Sequence, residues 1–402
     1  MSRSRRIRVE AVRENATVTP IELFFDLVFV FALTQVTAFM ADHLSWHGLL
    51  QGVLIIGLLW WSWVGYAWLG NVVRADEGAA RMTMFAAMAA MFVLALTIPE
   101  AFDDLPGGLP GPVVLALCYL AFRLLHLTLF WIIARGDSGL RRQLLRFTPA
   151  VLGATAVLLV AARFDGPTQT ALWALALLID YGGTFLGGAS GWRIRSARHF
   201  AERHGLIIIV ALGESIVAIG VGVAALPISW PIVVASVLGL VLSAALWGAY
   251  FDVTSLMAER ALATEADASR AGMARDAYSF LHLPMIAGVV LLALGLKKVL
   301  EYVGDTAHHE LSDALTGVGL YALYGGVALY LLAHVGFTLR TVRALNIPRV
   351  LTAVAVLALL PVAAQLPALA AVAVLSAVTA ALVAVETLRL ADVRNQLRHE
   401  HS

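Results

Sequence analysis

Apolar residues along this chain come in runs of about twenty, each ended by a short polar or Pro/Gly break. At 1.5 Å per residue, about twenty helical residues match a hydrocarbon core of ~30 Å, so each run predicts a membrane-spanning helix. The breaks place twelve spans at roughly 21–40, 48–69, 82–99, 112–134, 146–162, 168–190, 204–225, 229–251, 278–298, 314–338, 348–364 and 367–388. Only Gln365, Leu366 and Pro367 separate the last two, which read equally as a tight hairpin or one broken element.

Charge then orients the spans. The N-terminal arm carries Arg3, Arg5, Arg6, Arg8 and Arg13. Alternate loops add Arg74 and Arg81, the Arg135–Arg146 cluster, the Arg193–Arg203 cluster, then Arg260, Arg270, Arg275, Arg340, Arg343 and Arg349. Arg389, Arg394 and Arg398 close the series, so that 24 of the 28 basic residues lie on one side. The other side has Arg163, Lys297 and Lys298, together with short neutral or acidic loops such as Glu100–Asp104 and the Pro/Gly-rich 105–112. By the positive-inside rule this bias predicts an even span count with both termini cytoplasmic.

Composition agrees. A 402-residue chain with 60% hydrophobic and 14% charged residues is not a soluble domain, for which about 25% charged is usual. The single cysteine, Cys118, rules out an intrachain disulfide. The net charge of +1 gives no sign of a nucleic-acid partner. The basic N-terminus precedes an apolar segment as a signal peptide would, but that segment contains Glu22 and Asp26 and no clear small-residue cleavage site, so it reads as a retained first helix. No Walker loop, paired CxxC or HExxH occurs, and Gly213-Glu214-Ser215 lacks the second glycine of a nucleophile elbow. Neither an enzyme nor a cofactor is expected, and His308-His309-Glu310 reads as a solvated turn rather than a metal site.

The two halves resemble each other. Ala32–Val36 aligns with Ala211–Ser215, Trp63-Val64-Gly65-Tyr66 with Trp247-Gly248-Ala249-Tyr250, and Arg81 with Arg275. The expectation is an all-α polytopic membrane protein of about twelve helices in a six-plus-six repeat. Its parts are an arm over 1–19, repeats over 20–200 and 201–388, and a tail over 389–402. Repeats of six spans enter the membrane the same way.

Polar residues inside the spans carry the candidate chemistry, because a charge there faces a bundle interior or a wet cavity. Glu22 and Asp26 are four apart on one face of span 1. Arg123 and His126 share a face of span 4, and Arg123 is too far from either end to reach water, so it requires a carboxylate. Asp180 in span 6 and Glu214 in span 7 lie at similar depth, about 12–16 Å from their cytoplasmic ends. These residues predict a network of Arg123, Asp180 and Glu214, with His126 and Asp26 on its cytoplasmic side. Ser215 follows Glu214, and His282 precedes Pro284, which loosens its helix. Glu202, Arg203 and His204 are expected at the cytoplasmic mouth of span 7. The competing reading is that Arg123 neutralises a carboxylate only to hold helices in register. Trp60, Trp61, Trp63, Tyr66 and Trp68 read as an interfacial aromatic belt.

The chain resembles the bacterial low temperature requirement protein A family. The resemblance is carried by Glu22-Leu23-Phe24-Phe25-Asp26-Leu27-Val28-Phe29-Val30, Arg123-Leu124-Leu125-His126, Glu202 through Ser215, and Tyr278-Ser279-Phe280-Leu281-His282-Leu283-Pro284. It implies a multi-pass inner-membrane protein and leaves the chemistry open. The first of these stretches also looks like the Phe-Ser-Asp signature of a lysosomal and bacterial family of potassium/proton channels, with Phe25 in place of the serine and no second copy. The function expected is a transporter or channel-like protein with a buried ion- or proton-coupled site, acting on a small solute, H+ or a monovalent cation. The alternatives are a non-transporting membrane protein for cold or stress adaptation or lipid interaction, and a membrane-embedded enzyme. The lipid bilayer is the expected partner, and the glycines from Gly182 to Gly188 permit close helix contact within the chain or in a homodimer. Single cysteines placed across residues 100–110 should react with an impermeant reagent from outside the cell. Reaction only after the membrane is opened would invert the topology.

Overall fold

The computed structural model describes residues 16–389 except Ser190 and Ala225. The expectations for Arg3, Arg5, Arg6, Arg8 and Arg13 of the arm, and for Arg394 and Arg398 of the tail, lie outside the described residues. Within them the chain is helical, with no strand; Ala314 and Pro367 form an isolated bridge. The helices are α1 (Pro20–Asp42), α2 (Trp46–Val72), α3 (Gly78–Leu96), α4 (Gly111–Ile133), α5 (Ser138–Ala161), α6 (Gly166–Gly187), α7 (Ala197–Val223) and α8 (Trp230–Phe251). They continue with α9 (Thr254–Thr264), α10 (Asp267–Met273), α11 (His282–Gly304), α12 (Gly317–Thr341), α13 (Ile347–Ala358), α14 (Leu360–Ala363) and α15 (Ala368–Arg389).

Eleven segments among the described residues are long and apolar enough to cross a membrane. The expected span at 348–364 is the exception. It forms two short helices over Ile347–Ala363, with α13 capped at Leu359 before Pro361. Proline has no N–H to continue the helical ladder. Seventeen residues would cover only about 25 Å. Gln365, Leu366 and Pro367 then turn the chain into α15, so the hairpin reading holds.

Two helices start earlier than their apolar runs. Asp137 caps α5 by accepting from Leu140 N at 3.0 Å. Ser196 caps α7 by accepting from His199 N at 3.2 Å. Arg141, Arg142 and Arg146, and likewise Arg198 and Arg203, therefore sit on helices rather than in loops. Between α10 and α11, Ala274–Phe280 winds as a π-helix, with Leu281 N bonded to Asp276 O at 3.2 Å. Pro284 follows directly, where the α ladder would need an N–H it lacks.

The contacts divide the chain into two compact units. The first takes in the chain up to Val36, Val53–His204 and Glu265–Arg275. Within it α5 lies along α6, α3 along α4, and α4 against α5. Gly183 of the expected glycine stretch serves the α5–α6 contact, since a Cβ there would stand 2.4 Å from Ala150 Cβ. The second unit takes in Thr37–Gly52, Gly205–Thr264 and the chain from Asp276 onward. Here α11 runs along α12, α8 packs on α15 and α11, and α13 leans on α12.

Glycine sets the α11–α12 distance. A Cβ on Gly288 would stand 2.6 Å from Gly326 O, and one on Gly326 would stand 2.6 Å from Gly288 O. Backbones this close gain dispersion contact that no larger side chain allows. Gly326→Val should cost about 1–3 kcal/mol or more in thermal unfolding in detergent. Gly325→Ala on the same helix, with nothing within 4 Å, should leave the melting temperature nearly unchanged. Equal effects at both positions would refute the close approach.

Candidate functional site

The site in the first unit is built from the start of α1. Thr19, Pro20 and Glu22 form a capping box, in which the Glu22 carboxylate reaches back to accept from Thr19 N at 2.9 Å and Thr19 Oγ1 at 2.8 Å. One turn further along, Asp26 stands on the same face. On α7, His199 and Arg203 are also four apart. His199 Nε2 donates to Glu22 at 3.1 Å, and Arg203 Nη1 donates to Asp26 Oδ2 at 2.8 Å and to Glu22 O at 2.9 Å. The rungs 22–199 and 26–203 require the two helices to run in the same direction here. All four side chains are at most 3% exposed.

Neighbours from α2 close the cluster. Trp63 Nε1 donates to Asp26 Oδ1 at 2.8 Å, and the Arg203 guanidinium lies 5.2 Å from the Trp63 ring centroid. Gly70 leaves room for the Glu22 carboxylate, since a Cβ there would meet Oε1 at 2.5 Å. Asn71 Oδ1 accepts from Arg195 N at 2.8 Å and Ser196 N at 3.4 Å. That turns Nδ2 to Ser196 O at 2.6 Å and to His199 Nδ1 at 3.4 Å. Two carboxylates thus face one guanidinium and one imidazole among the described residues.

The second cluster of this unit is charge-balanced. Arg123 Nη2 donates to Asp180 Oδ1 at 3.0 Å and Nη1 to Trp61 O at 3.2 Å, while Tyr119 donates its hydroxyl to Asp180 Oδ2. Arg123 also lies over the Phe147 ring at 5.0 Å. His126 Nε2 donates to Gly65 O at 3.0 Å, and Tyr66 donates to Phe122 O at 3.1 Å. Trp61 stacks on Tyr181 at 4.1 Å, and Trp60, Trp61, Trp63 and Trp68 are all buried, so these are packing and site residues rather than an interfacial belt.

The expected network is therefore partly regrouped. Arg123 and Asp180 pair as their depth implied. Asp26 belongs with Arg203 and Trp63, not beside Arg123. Arg203 and His204, expected at a mouth, are 1% and 0% exposed. His204 Nδ1 donates to Phe200 O at 2.8 Å, and Glu202 accepts from Val18 N at 3.2 Å.

In the second unit Glu214 and Ser215 are buried on α7, with Ser215 Oγ 2.7 Å from Ser243 Oγ. His282 donates from Nδ1 to Ala277 O at 3.1 Å, inside the π-helix, and accepts at Nε2 from Tyr250 at 2.9 Å. Tyr250 stacks on His334, which accepts from Arg349. Arg349 in turn makes two 2.8 Å bonds to Glu386. Arg349, a loop charge by the sequence pattern, and Glu386 are both buried. His199, Asn71 and the Arg349–Glu386 pair are the site residues that sequence reasoning missed. The i,i+4 spacing of His199 and Arg203, which repeats that of Glu22 and Asp26, was the available signal. Among the described residues no group of three His, Cys, Asp or Glu side chains is arranged to hold a metal ion.

A multi-pass bundle of apolar helices with charges buried in its interior defines an integral membrane protein of the α-helical class. The family profile of the bacterial low temperature requirement A protein (LtrA) matches residues 17–384, and the chain belongs to that family. An uncharacterized protein of Rhizobium meliloti (strain 1021) is 30% identical over 289 residues, covering 68% of this chain and 67% of that one. No solved structure matches.

Removing one partner of a buried ion pair strands the other charge. Arg123→Leu should therefore lower stability by about 3–5 kcal/mol, while Arg123→Leu with Asp180→Leu should recover most of the loss. Unfolding in detergent tests this, and a double variant no better than the single would show that the pair is not held as described.

Proposed function

We propose that the protein is a transporter or channel-like protein of the cytoplasmic membrane. Its ion- or proton-coupled site is the cluster of Glu22, Asp26, His199 and Arg203. The observation that carries this reading is that two buried carboxylates share one guanidinium. A buried uncompensated charge is costly, so the cluster gains a proton or a monovalent cation when the site is closed to water, and gives it up when water returns. Arg203 has somewhere to move. Among the described residues its Nε makes no hydrogen bond, and it lies 3.9 Å from Glu22 Oε1, so protonation of Asp26 frees the guanidinium to turn toward Glu22. The protein is not an enzyme on this reading and needs no cofactor; its partners are the bilayer and a small ion or solute.

Twelve spans with both termini in the cytoplasm remain the topology that fits the arginine bias. The six-plus-six repeat gains support from features internal to each unit. In the first, the Tyr66 ring lies 5.5 Å from His126 and Asp180 takes Arg123. In the second, Tyr250 lies 5.5 Å from His334 and Glu386 takes Arg349. The tyrosines fall on spans 2 and 8, the histidines on spans 4 and 10, and the carboxylates on spans 6 and 12.

The second reading, a non-transporting membrane protein held together by its charges, is favoured by the balanced Arg123–Asp180 pair. Proteoliposomes carrying a pH-sensitive dye separate the two. The wild type should pass protons or a monovalent cation down an imposed gradient, and Asp26→Asn and Glu22→Gln should reduce the flux to background while the protein stays folded. Absence of flux under every gradient tried, with Asp26→Asn lowering only the melting temperature, would leave the second reading standing.

A further inference from the structure

The second unit contains a cavity of about 870 Å³ that no part of the proposed ion site uses. It lies where the start of α9, the end of α12, the start of α13 and the last turns of α15 meet. Its walls are mostly aliphatic, with Val253, Met257, Val342, Leu351, Val378 and Leu382 among them. The volume falls within the roughly 300–1,000 Å³ of small-molecule sites. Its polar floor is already satisfied. Arg349 spends its guanidinium on Glu386, on Ala249 O at 2.7 Å and on His334, and Asn346 Nδ2 donates to Glu386 at 2.7 Å. A ligand here therefore meets apolar walls over a neutral floor, which suits a hydrocarbon chain.

The rim is different. Arg389 lines the cavity and is exposed. Arg343 is exposed between two lining residues, Val342 and Ala344, and has no ion-pair partner among the described residues. Its backbone is held at φ 56°, a left-handed conformation unusual outside glycine, in the tight turn between α12 and α13. Beside these cations Leu345, Ile347 and Leu351 are 57%, 58% and 63% exposed. Exposed aliphatic residues at the edge of an apolar cavity let a chain enter sideways from the bilayer, as a water-soluble ligand would have no reason to do. Arg389, which lines the cavity, and Arg343, between two lining residues, supply guanidinium groups whose chemistry complements a phosphate.

We infer that this cavity holds one acyl chain of an anionic membrane phospholipid, whose phosphate is bound by Arg343 and Arg389. The site is separate from the Glu22–Asp26 cluster and stands whether or not that cluster moves ions. Bound lipid would rest against the Arg349–Glu386 pair and so brace α13 and α15, the two helices that Leu359 to Pro367 connects.

Native mass spectrometry of the full-length, delipidated protein in detergent reads the site directly. Phosphatidylglycerol and phosphatidylethanolamine with the same acyl chains are the probes. The wild type should retain one phosphatidylglycerol per chain, at least about tenfold more tightly than phosphatidylethanolamine, given about 1 kcal/mol for each arginine near an anionic headgroup. Arg343→Gln with Arg389→Gln, both at exposed positions, should abolish the preference and leave the phosphatidylethanolamine level. Thr352→Trp, which fills part of the cavity from a half-buried position, should weaken both lipids. Equal binding of the two lipids by the wild type, a preference that survives the double glutamine variant, or indifference to Thr352→Trp would each overturn the assignment. Loss of the preference on removal of residues 390–402, with both arginines intact, would also overturn it by moving the headgroup contact to the tail.

Discussion

Glu22 and Asp26 on α1 meet His199 and Arg203 on α7 where water is excluded, and much of the first unit follows from that meeting. Charges in such a place require partners at hydrogen-bond distance, so the two helices are fixed in direction and in register to within one turn. The requirement spreads to residues with no charge. Gly70 is small because the Glu22 carboxylate occupies the space its side chain would fill. Trp63 donates to Asp26, and the Asn71 amide stands against His199 Nδ1. Ser196 and Thr19 cap the two helices at the points where the acidic and basic turns begin.

Charge count separates this cluster from the other buried ions. Arg123 with Asp180, and Arg349 with Glu386, are one-to-one pairs; Arg123 also donates to Trp61 O, Tyr119 donates to Asp180, and Arg349 also donates to Ala249 O and to His334. Such pairs hold helices in register and have no electrostatic reason to change. In the α1–α7 cluster two carboxylates share one guanidinium among the described residues. The clusters thus differ in stoichiometry rather than in burial, which is nearly the same for all of them.

The helices were legible because the bilayer imposes a length on apolar runs, and the runs here obey it almost everywhere. Arg123 was legible for a related reason: a cation far from both ends of a span must find a carboxylate, and Asp180 lay at the right depth. Depth failed for Asp26 because it is one coordinate of three. Residues at equal depth on different helices face any of several neighbours, and nothing in the spacing of α1 says that α7 rather than α4 lies alongside. His199 and Arg349 were obscured by their positions in first helical turns, and Arg203 by lying only one turn further in, where a basic residue looks the same as one in a loop. Polarity alone does not mark where the helix begins; the capping side chains of Ser196 and Asn346 do.

The shortness of α13 and α14 carries a consequence for the surrounding lipid. Leu351, Val354, Leu357 and Val362 give this segment an exposed apolar flank, yet its reach is about 25 Å against a hydrocarbon thickness of ~30 Å. If this segment crosses the hydrocarbon, the shortfall of about 5 Å is hydrophobic mismatch, which a bilayer meets by local thinning at a cost of fractions of a kcal/mol per ångström. One flank of the protein would then be coupled to membrane thickness, a mechanical property set by the composition and fluidity of the lipid and independent of any ligand.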